Sequence, residues 1–404
     1  MNNENLDFNN QNSNPSADAD IENKTAQADH SVSEAGLREE PAEITNETIE
    51  STNADAWDGV DVAEAYSSLP SIDLRSEKKT FSTMGWGLAL FAFVSLLVSS
   101  IIMIVVSAVS PAFASSALFM HLVTPVSMYL FALPILLIFL SRIPATPPEP
   151  AKMRFGTWIL HLLVGFGLMY IGAQVSNVVM GILTALLGYD PMNAIDNVVG
   201  NSNVWINLIF VVIIAPIGEE FVFRKLLIDR LKKYGCFVSA LFSGVVFGLM
   251  HGNLYQCFYA FALGLLLGYI YYNTGKLRLV IAIHAAINLV SGVLAGLLSE
   301  KLLAAQEALD QLSAAAEADV SAWLEFAAEH GLALGAGFLF SLFQWGAIAC
   351  AIVLPIVFRK RIVLEKGEVS IPRSRGFSTL FLNVGAIVML SVYFLEIILS
   401  LLPS

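Results

Sequence analysis

Three short clusters of polar side chains interrupt the apolar stretches of this chain, and their residue types could do chemistry. In the first, the carboxylates Glu219 and Glu220 directly follow a long apolar run, with Arg224 one helical turn further on. Charges at membrane depth are costly enough that function is their default explanation. Glu220 and Arg224, at i and i+4, meet on one helix face and neutralise each other, which reads as a structural ion pair. Glu219 is rotated about 100° away and left free. It follows Pro216 and Gly218, where a loosened helix lets a carboxylate face a water-filled cavity. The second cluster is Phe247 with His251, the third His284 with Asn288, each an i,i+4 pair on one face. Two histidines, a free carboxylate and an amide make a buried polar site that fits either catalysis or a proton or ion pathway.

The elements carrying these clusters must bring them to one level. Tyr234 and Gly235 mark a turn between two spans, with Glu219 15 residues before it and His251 16 after it. At helical rise both stand roughly 23 Å above the turn. The next hairpin turns near Gly275, which puts Asn288 roughly 20 Å up and His284 one turn lower. His121 and His161, by contrast, read as hydrogen-bonded packing residues.

The frame is a membrane protein. Of 404 residues 56% are hydrophobic and 14% charged, with a mean hydropathy of +0.67, too apolar for a soluble chain of this length. Residues 1–80 hold 18 acidic and 5 basic side chains, a net of −13 against −12 for the whole chain, so the remainder is close to neutral. That acidic tail is too poor in large apolar side chains to offset ordering entropy and is expected to be disordered. Trp57, Val60, Val62, Tyr66 and Leu69 form a sticky patch within it. Residues 1–20 lack the apolar core of a signal peptide.

From Thr83 onward, runs near the length of a spanning helix are expected at about 84–109, 117–141, 156–187, 204–228, 236–252, 254–273, 277–299, 331–358 and 377–402. The class is all-α, a polytopic bundle of about nine spans, with eight and ten as the alternatives, the third long enough to tilt, kink at Gly165 or Gly172, or be interrupted. With the N-terminus in the cytoplasm, 21 of the 22 basic residues fall on the inner side and only Lys301 outside, as the positive-inside rule requires. Residues 301–330 are expected to form an outer amphipathic helix. Gly244/Gly248, Gly264/Gly268 and Gly331/Gly335 are weak close-packing signals. Cys236, Cys257 and Cys350 lack metal or disulfide spacing and read as small buried hydrophobes. The expected organisation is a tail (1–80), a first hairpin (83–154), a core with the polar clusters (155–300), the outer segment (301–330) and C-terminal helices (331–404).

The clusters, E-E-F-V-F-R from Glu219 to Arg224, F-G-L-M-H from Phe247 to His251 and H-A-A-I-N from His284 to Asn288, resemble the CPBP family of CAAX-protease and bacteriocin-processing intramembrane peptidases. Its pattern is E-E-x-x-x-R, F-x-x-x-H and H-x-x-x-N, and the resemblance covers about residues 155–300. It implies an intramembrane glutamic endopeptidase in which Glu219 is the general base and His251 helps position water. His284 and Asn288 stabilise the oxyanion, while Glu220, Arg224 and Phe247 support the site. The implied partners are a peptide or membrane-anchored protein substrate and the lipid bilayer, with no nucleic acid and no cofactor. One Glu and two His could ligate zinc, but no HExxH occurs and the family is better explained as metal-independent. GxGD and GxSG protease motifs are missing from the spans, and Tyr189-Asp190 has no partner aspartate. The implied setting is a bacterial cell membrane. The alternative is a non-catalytic immunity factor, scaffold or transporter built on the same polar cluster.

Overall fold

The computed structural model describes residues 73–189, 191, 203–314 and 319–403. The tail up to residue 72 with its apolar patch, and Asp190, lie outside the described residues. All described regular structure is helical, and each expected apolar run falls mainly on helix, that at 377–402 on two. The elements are α1 (Leu74–Val109), α2 (Ala117–Leu140), α3 (Phe155–Leu187), α4 (Val204–Tyr234), α5 (Cys236–Leu249), α6 (Leu254–Thr274), α7 (Leu277–Ala314), α8 (Val320–Val357), α9 (Arg373–Leu380) and α10 (Val384–Ser400).

Seven of these are long and apolar enough to cross a membrane, or eight if α9 and α10 form one span bent by 62°. Nine were expected, and the difference has local causes. α5 has only 14 residues, because the chain turns at Gly252, whose φ is +63°. Asn253 then caps α6 by accepting from the Gln256 amide. The α9–α10 bend is set by Asn383, whose Nδ2 donates to the Thr379 and Leu380 carbonyls while its Oδ1 accepts from Ala386 N. One side chain thus closes one helix and opens the next.

α1 begins earlier than expected, because Asp73 caps it by accepting from Arg75 N at 3.0 Å. α3 runs unbroken for 33 residues; Gly165 and Gly172 are points of approach to α7 and α6, and a Cβ on Gly172 would overlap the Tyr259 backbone. Residues 301–314 continue α7 without a break.

Two apolar cores organise the bundle. One joins α1, α2, α4, α5 and α10 through Phe81, Leu136, Phe223, Phe242 and Tyr393. The other joins α3, α6, α7 and α8 through Phe166, Leu267, Ile283 and Ala347, and takes Ile228 of α4 and Cys236 of α5. α4 and α5 therefore stand between the cores. Glycines let backbones meet: Gly85 of α1 abuts Gly385 of α10, and a Cβ on Gly264 of α6 would lie 2.9 Å from the Gly244 Cα of α5. Among the described residues, none comes within 4 Å of a Cβ placed on Gly331 or Gly335. Large apolar side chains such as Phe93, Ile104, Leu186, Leu332 and Trp345 stay exposed along the spans, as expected where lipid is the solvent.

At the end of the bundle marked by Gly235 and Gly275, both left-handed (φ +88° and +59°), polar contacts lock the turns. The segment after α8 crosses the α4–α5 turn as a strap: Cys236 N donates to Glu365 O at 2.9 Å and Val369 N to Lys233 O at 2.8 Å. Lys233 and Tyr234 both bind Glu77 of α1. Thr146 N donates to Asp229 O and Ala151 N to Thr274 O. The Asp229 carboxylate is paired with Lys225 at 2.6 Å and with the Tyr271 hydroxyl at 2.8 Å.

Candidate active site

The first cluster sits on an irregular part of α4. Two wide π-helical stretches, Leu208–Ile214 and Phe221–Leu226, flank the α-helical turn Ala215–Glu220. Proline explains the first. Ala215 N bonds back to Phe210 O, and the following residue, Pro216, has no N–H to offer Val211. The Val211 carbonyl is instead taken by Asn288 of α7, whose Nδ2 donates to it at 2.9 Å. Asn288 opens a further π stretch, Asn288–Leu294, and a fourth runs through α2 at Val126–Ala132. Such wide turns concentrate at functional sites.

Glu220 and Arg224 meet as the i,i+4 spacing requires, both side chains fully buried, with Nε 3.0 Å from Oε2 and Nη2 donating to Oε1 at 3.3 Å. The Nε contact lacks the alignment of a hydrogen bond and counts as charge contact only. Arg224 Nη1 also donates to Ser243 of α5 at 3.0 Å, and Ser243 in turn donates to the Phe223 carbonyl at 2.8 Å. The guanidinium stacks over the Phe247 ring, 4.7 Å from its centroid, the geometry of a cation–π contact.

Glu220 has a second partner that spacing could not reveal. Its Oε1 lies 3.0 Å from His284 Nδ1. A carboxylate already paired with arginine only accepts, so Nδ1 carries the hydrogen. The other ring nitrogen, Nε2, then faces Glu219, 3.8 Å from its Oε2. His284 is thus held between the two glutamates. Glu219 keeps 16% of its side chain exposed while Glu220 keeps none, so only Glu219 is open to a small molecule.

His251 lies just beyond the end of α5, in the turn before Gly252, not within a span. Its Nδ1 is 2.8 Å from the Phe247 carbonyl; that carbonyl accepts, so Nδ1 bears the hydrogen and Nε2 is left as an acceptor. Phe247 is the common support, with edge-on contacts to His251 and to His284 at ring separations of 5.2 and 5.8 Å. All seven residues singled out in the sequence therefore belong to connected contacts across α4, α5 and α7, although Asn288 spends an amide hydrogen on Val211. His121 bonds Ala117 O and Asn207 Oδ1, and His161 bonds Thr157 O; both are packing residues as read. Among the described residues, no three His, Cys, Asp or Glu side chains are grouped to hold a metal ion.

Sequence reasoning missed Ser243 and Tyr129. Ser243 was within reach, being one turn before Phe247 on the same face. Tyr129 of α2 had no local signal, yet its ring packs on Gly218 so closely that a Cβ there would overlap it.

The comparisons with known proteins fall on this same region. Residues 201–290 match the family model described as Type II CAAX prenyl endopeptidase Rce1-like. A Bacillus subtilis (strain 168) protein described as "Putative membrane peptidase YdiL" is 32% identical over 77 residues, which is 19% of this chain and 32% of that protein. The chain thus matches about a third of that relative's length. No solved structure matches. All three clusters lie within the matched segment, so what this chain shares with the Rce1-like CAAX prenyl endopeptidase model is the stretch that carries its polar site.

Proposed function

We propose that this protein is an intramembrane endopeptidase that hydrolyses peptide bonds of peptide or membrane-anchored protein substrates, with Glu219 as the general base. The observation that carries this reading is the placement of His284 between an accessible Glu219 and a fully buried, arginine-paired Glu220. Such a buried imidazole has one nitrogen fixed and the other aimed at the group that would handle water, which is how a positioned acid–base site is built. With an imidazolium at His284, the charges of Glu219, Glu220, Arg224 and His284 cancel, which makes the cluster tolerable at membrane depth.

In this mechanism a water bound near Glu219 donates one hydrogen to its carboxylate and the other to His251 Nε2. The water oxygen adds to the scissile carbonyl carbon as Glu219 takes its proton, leaving a tetrahedral oxyanion. His284 Nε2–H and the second amide hydrogen of Asn288 face the developing charge. The carbon–nitrogen bond then breaks, and Glu219 passes the proton to the leaving nitrogen. The products are a carboxylic acid and an amine, with one water consumed. Arg224, Phe247 and Ser243 hold Glu220, and through it His284.

The same reading places the protein in a bacterial cell membrane with its N-terminus in the cytoplasm, the strapped turns on the inner side. The family description names prenylated CAAX substrates. For this chain the class is left at peptides and membrane-anchored proteins, since none of its residues specifies a lipidated one. The deciding experiment compares the peptides of a host producing the wild type with those of a host producing Glu219→Gln. Precursors should accumulate in the variant with the protein inserted at normal levels. A Gln variant that cleaves as well as wild type would rule out this mechanism, and a phenotype that survives Glu219→Ala and His251→Ala would point to a non-catalytic role.

A further inference from the structure

The proposed site is short of oxyanion donors. The Nδ1 hydrogen of His284 goes to Glu220, that of His251 goes to the Phe247 carbonyl, and Asn288 has already given one amide hydrogen to Val211, which leaves only His284 Nε2–H and the second Asn288 hydrogen. A tetrahedral intermediate at Glu219 therefore meets few groups free to donate.

One donor stands beside it uncommitted. Tyr129 lies in the middle of the π-helical stretch Val126–Ala132 of α2, which ends just before Pro134. The tip of its phenol, ring Cζ and hydroxyl together, is seated on the Cα of Gly218, the residue immediately before Glu219. The approach is possible only because residue 218 has no side chain. The hydroxyl is within electrostatic reach of Glu219 and makes no hydrogen bond to another described residue. Tyr129 is not fully buried, so a ligand at Glu219 can meet it. Helix α2 lies outside the matched segment 201–290.

We propose that Tyr129 is a further catalytic residue of this site, its hydroxyl donating a hydrogen bond to the oxyanion formed at Glu219. The proton stays on the phenol throughout, and the bond forms as the carbonyl oxygen gains charge and is released when the carbon–nitrogen bond breaks. The active site is then composite. The matched domain supplies base and histidines, and the first hairpin supplies a donor from across the core. This inference rests on the endopeptidase reading, so its test must separate the two.

Hosts producing wild type, Glu219→Gln and Tyr129→Phe are compared by peptidomics, and a precursor that accumulates with Glu219→Gln is then used as the probe for purified proteins in nanodiscs. Tyr129→Phe keeps the ring against Gly218 and removes only the hydroxyl. The expected result is a kcat lowered roughly 100-fold with KM within about twofold, the signature of a lost transition-state donor. If Tyr129→Phe destabilises the protein, ring-fluorinated tyrosine at position 129 preserves the shape and makes the phenol a stronger acid. A change in kcat then supports the donor role, since a tyrosine that only packs would leave it unmoved. Loss of cleavage in Glu219→Gln with wild-type kcat in Tyr129→Phe overturns this inference and leaves the endopeptidase reading intact. A Glu219→Gln host with an unchanged peptidome overturns both.

Discussion

Replacing Arg224 by methionine isolates a fully buried ion pair of the bundle. The guanidinium is fully buried and makes two contacts to Glu220, one to Ser243 and one to the Phe247 ring. Removing it leaves the Glu220 carboxylate at zero exposure with His284 Nδ1 as its remaining donor. Breaking a buried pair from one side costs about 3–5 kcal/mol, whereas replacing both partners by groups of similar volume is often close to neutral. The surviving His284 bond sets the expectation for Arg224→Met at the lower end, about 3 kcal/mol. Glu220→Gln/Arg224→Met should recover about 2 kcal/mol of that, because no bare charge remains. The measurement is denaturant unfolding in micelles, read by a thiol dye in a Cys257→Ala/Cys350→Ala background, where the remaining target, Cys236, is fully buried in the folded state. If the double variant is as destabilised as Arg224→Met alone, the cost lies in lost packing and the electrostatic account is refuted.

Two further substitutions probe how the site is framed. Asn288→Leu removes the donor that compensates for Pro216 and leaves the Val211 carbonyl without it; a loss of about 1–3 kcal/mol is expected in the same unfolding assay, and no loss would mean that another group takes over. Gly264→Leu forces a side chain into a place where even a Cβ would lie 2.9 Å from Gly244 Cα. Parting α5 from α6 should cost about 1–3 kcal/mol and displace His251, while Gly335→Leu, with open space around it, should leave unfolding unchanged.

The sequence announced more of the site than of its frame. Helical spacing alone put Glu220 with Arg224, and counting residues from the turns put His251 level with Glu219 and His284 close below Asn288, because both arguments depend only on rise and rotation per residue. The Glu220–Arg224 pair and the approach of His284 to Glu219 are made although α4 is not a regular helix, since the added width of its π turns is small against the reach of a side chain. The second partner of Glu220 was hidden, because a contact 64 residues apart is set by how helices rotate against one another. Tyr129 was hidden for the same reason. The gap between about nine expected spans and seven or eight is different in kind: Gly252 followed by Asn253, and Asn383 ahead of an apolar run, are turn and cap signals present in the letters. Hydropathy outweighed them, since a window of apolar residues looks the same whether or not the backbone turns within it. The paired glycines were legible as a pattern but not as contacts; those at 244 and 264 meet, whereas those at 331 and 335 face open space.

The strap over the α4–α5 turn bears on the order in which the molecule is made. Its residues, Glu365 to Val369, follow the turn by roughly 130 positions, and α10, which closes the core shared by α1 and α5, comes later still. Because synthesis proceeds from the N-terminus and segments fold as they emerge, both glutamates and both histidines leave the ribosome before the backbone that clamps their helices exists. The turn joining the carboxylate helix to the histidine helix is pinned only after roughly 130 further residues have been made. The cluster that holds both glutamates and His284 therefore gains its final geometry only after the helices that carry it have been made.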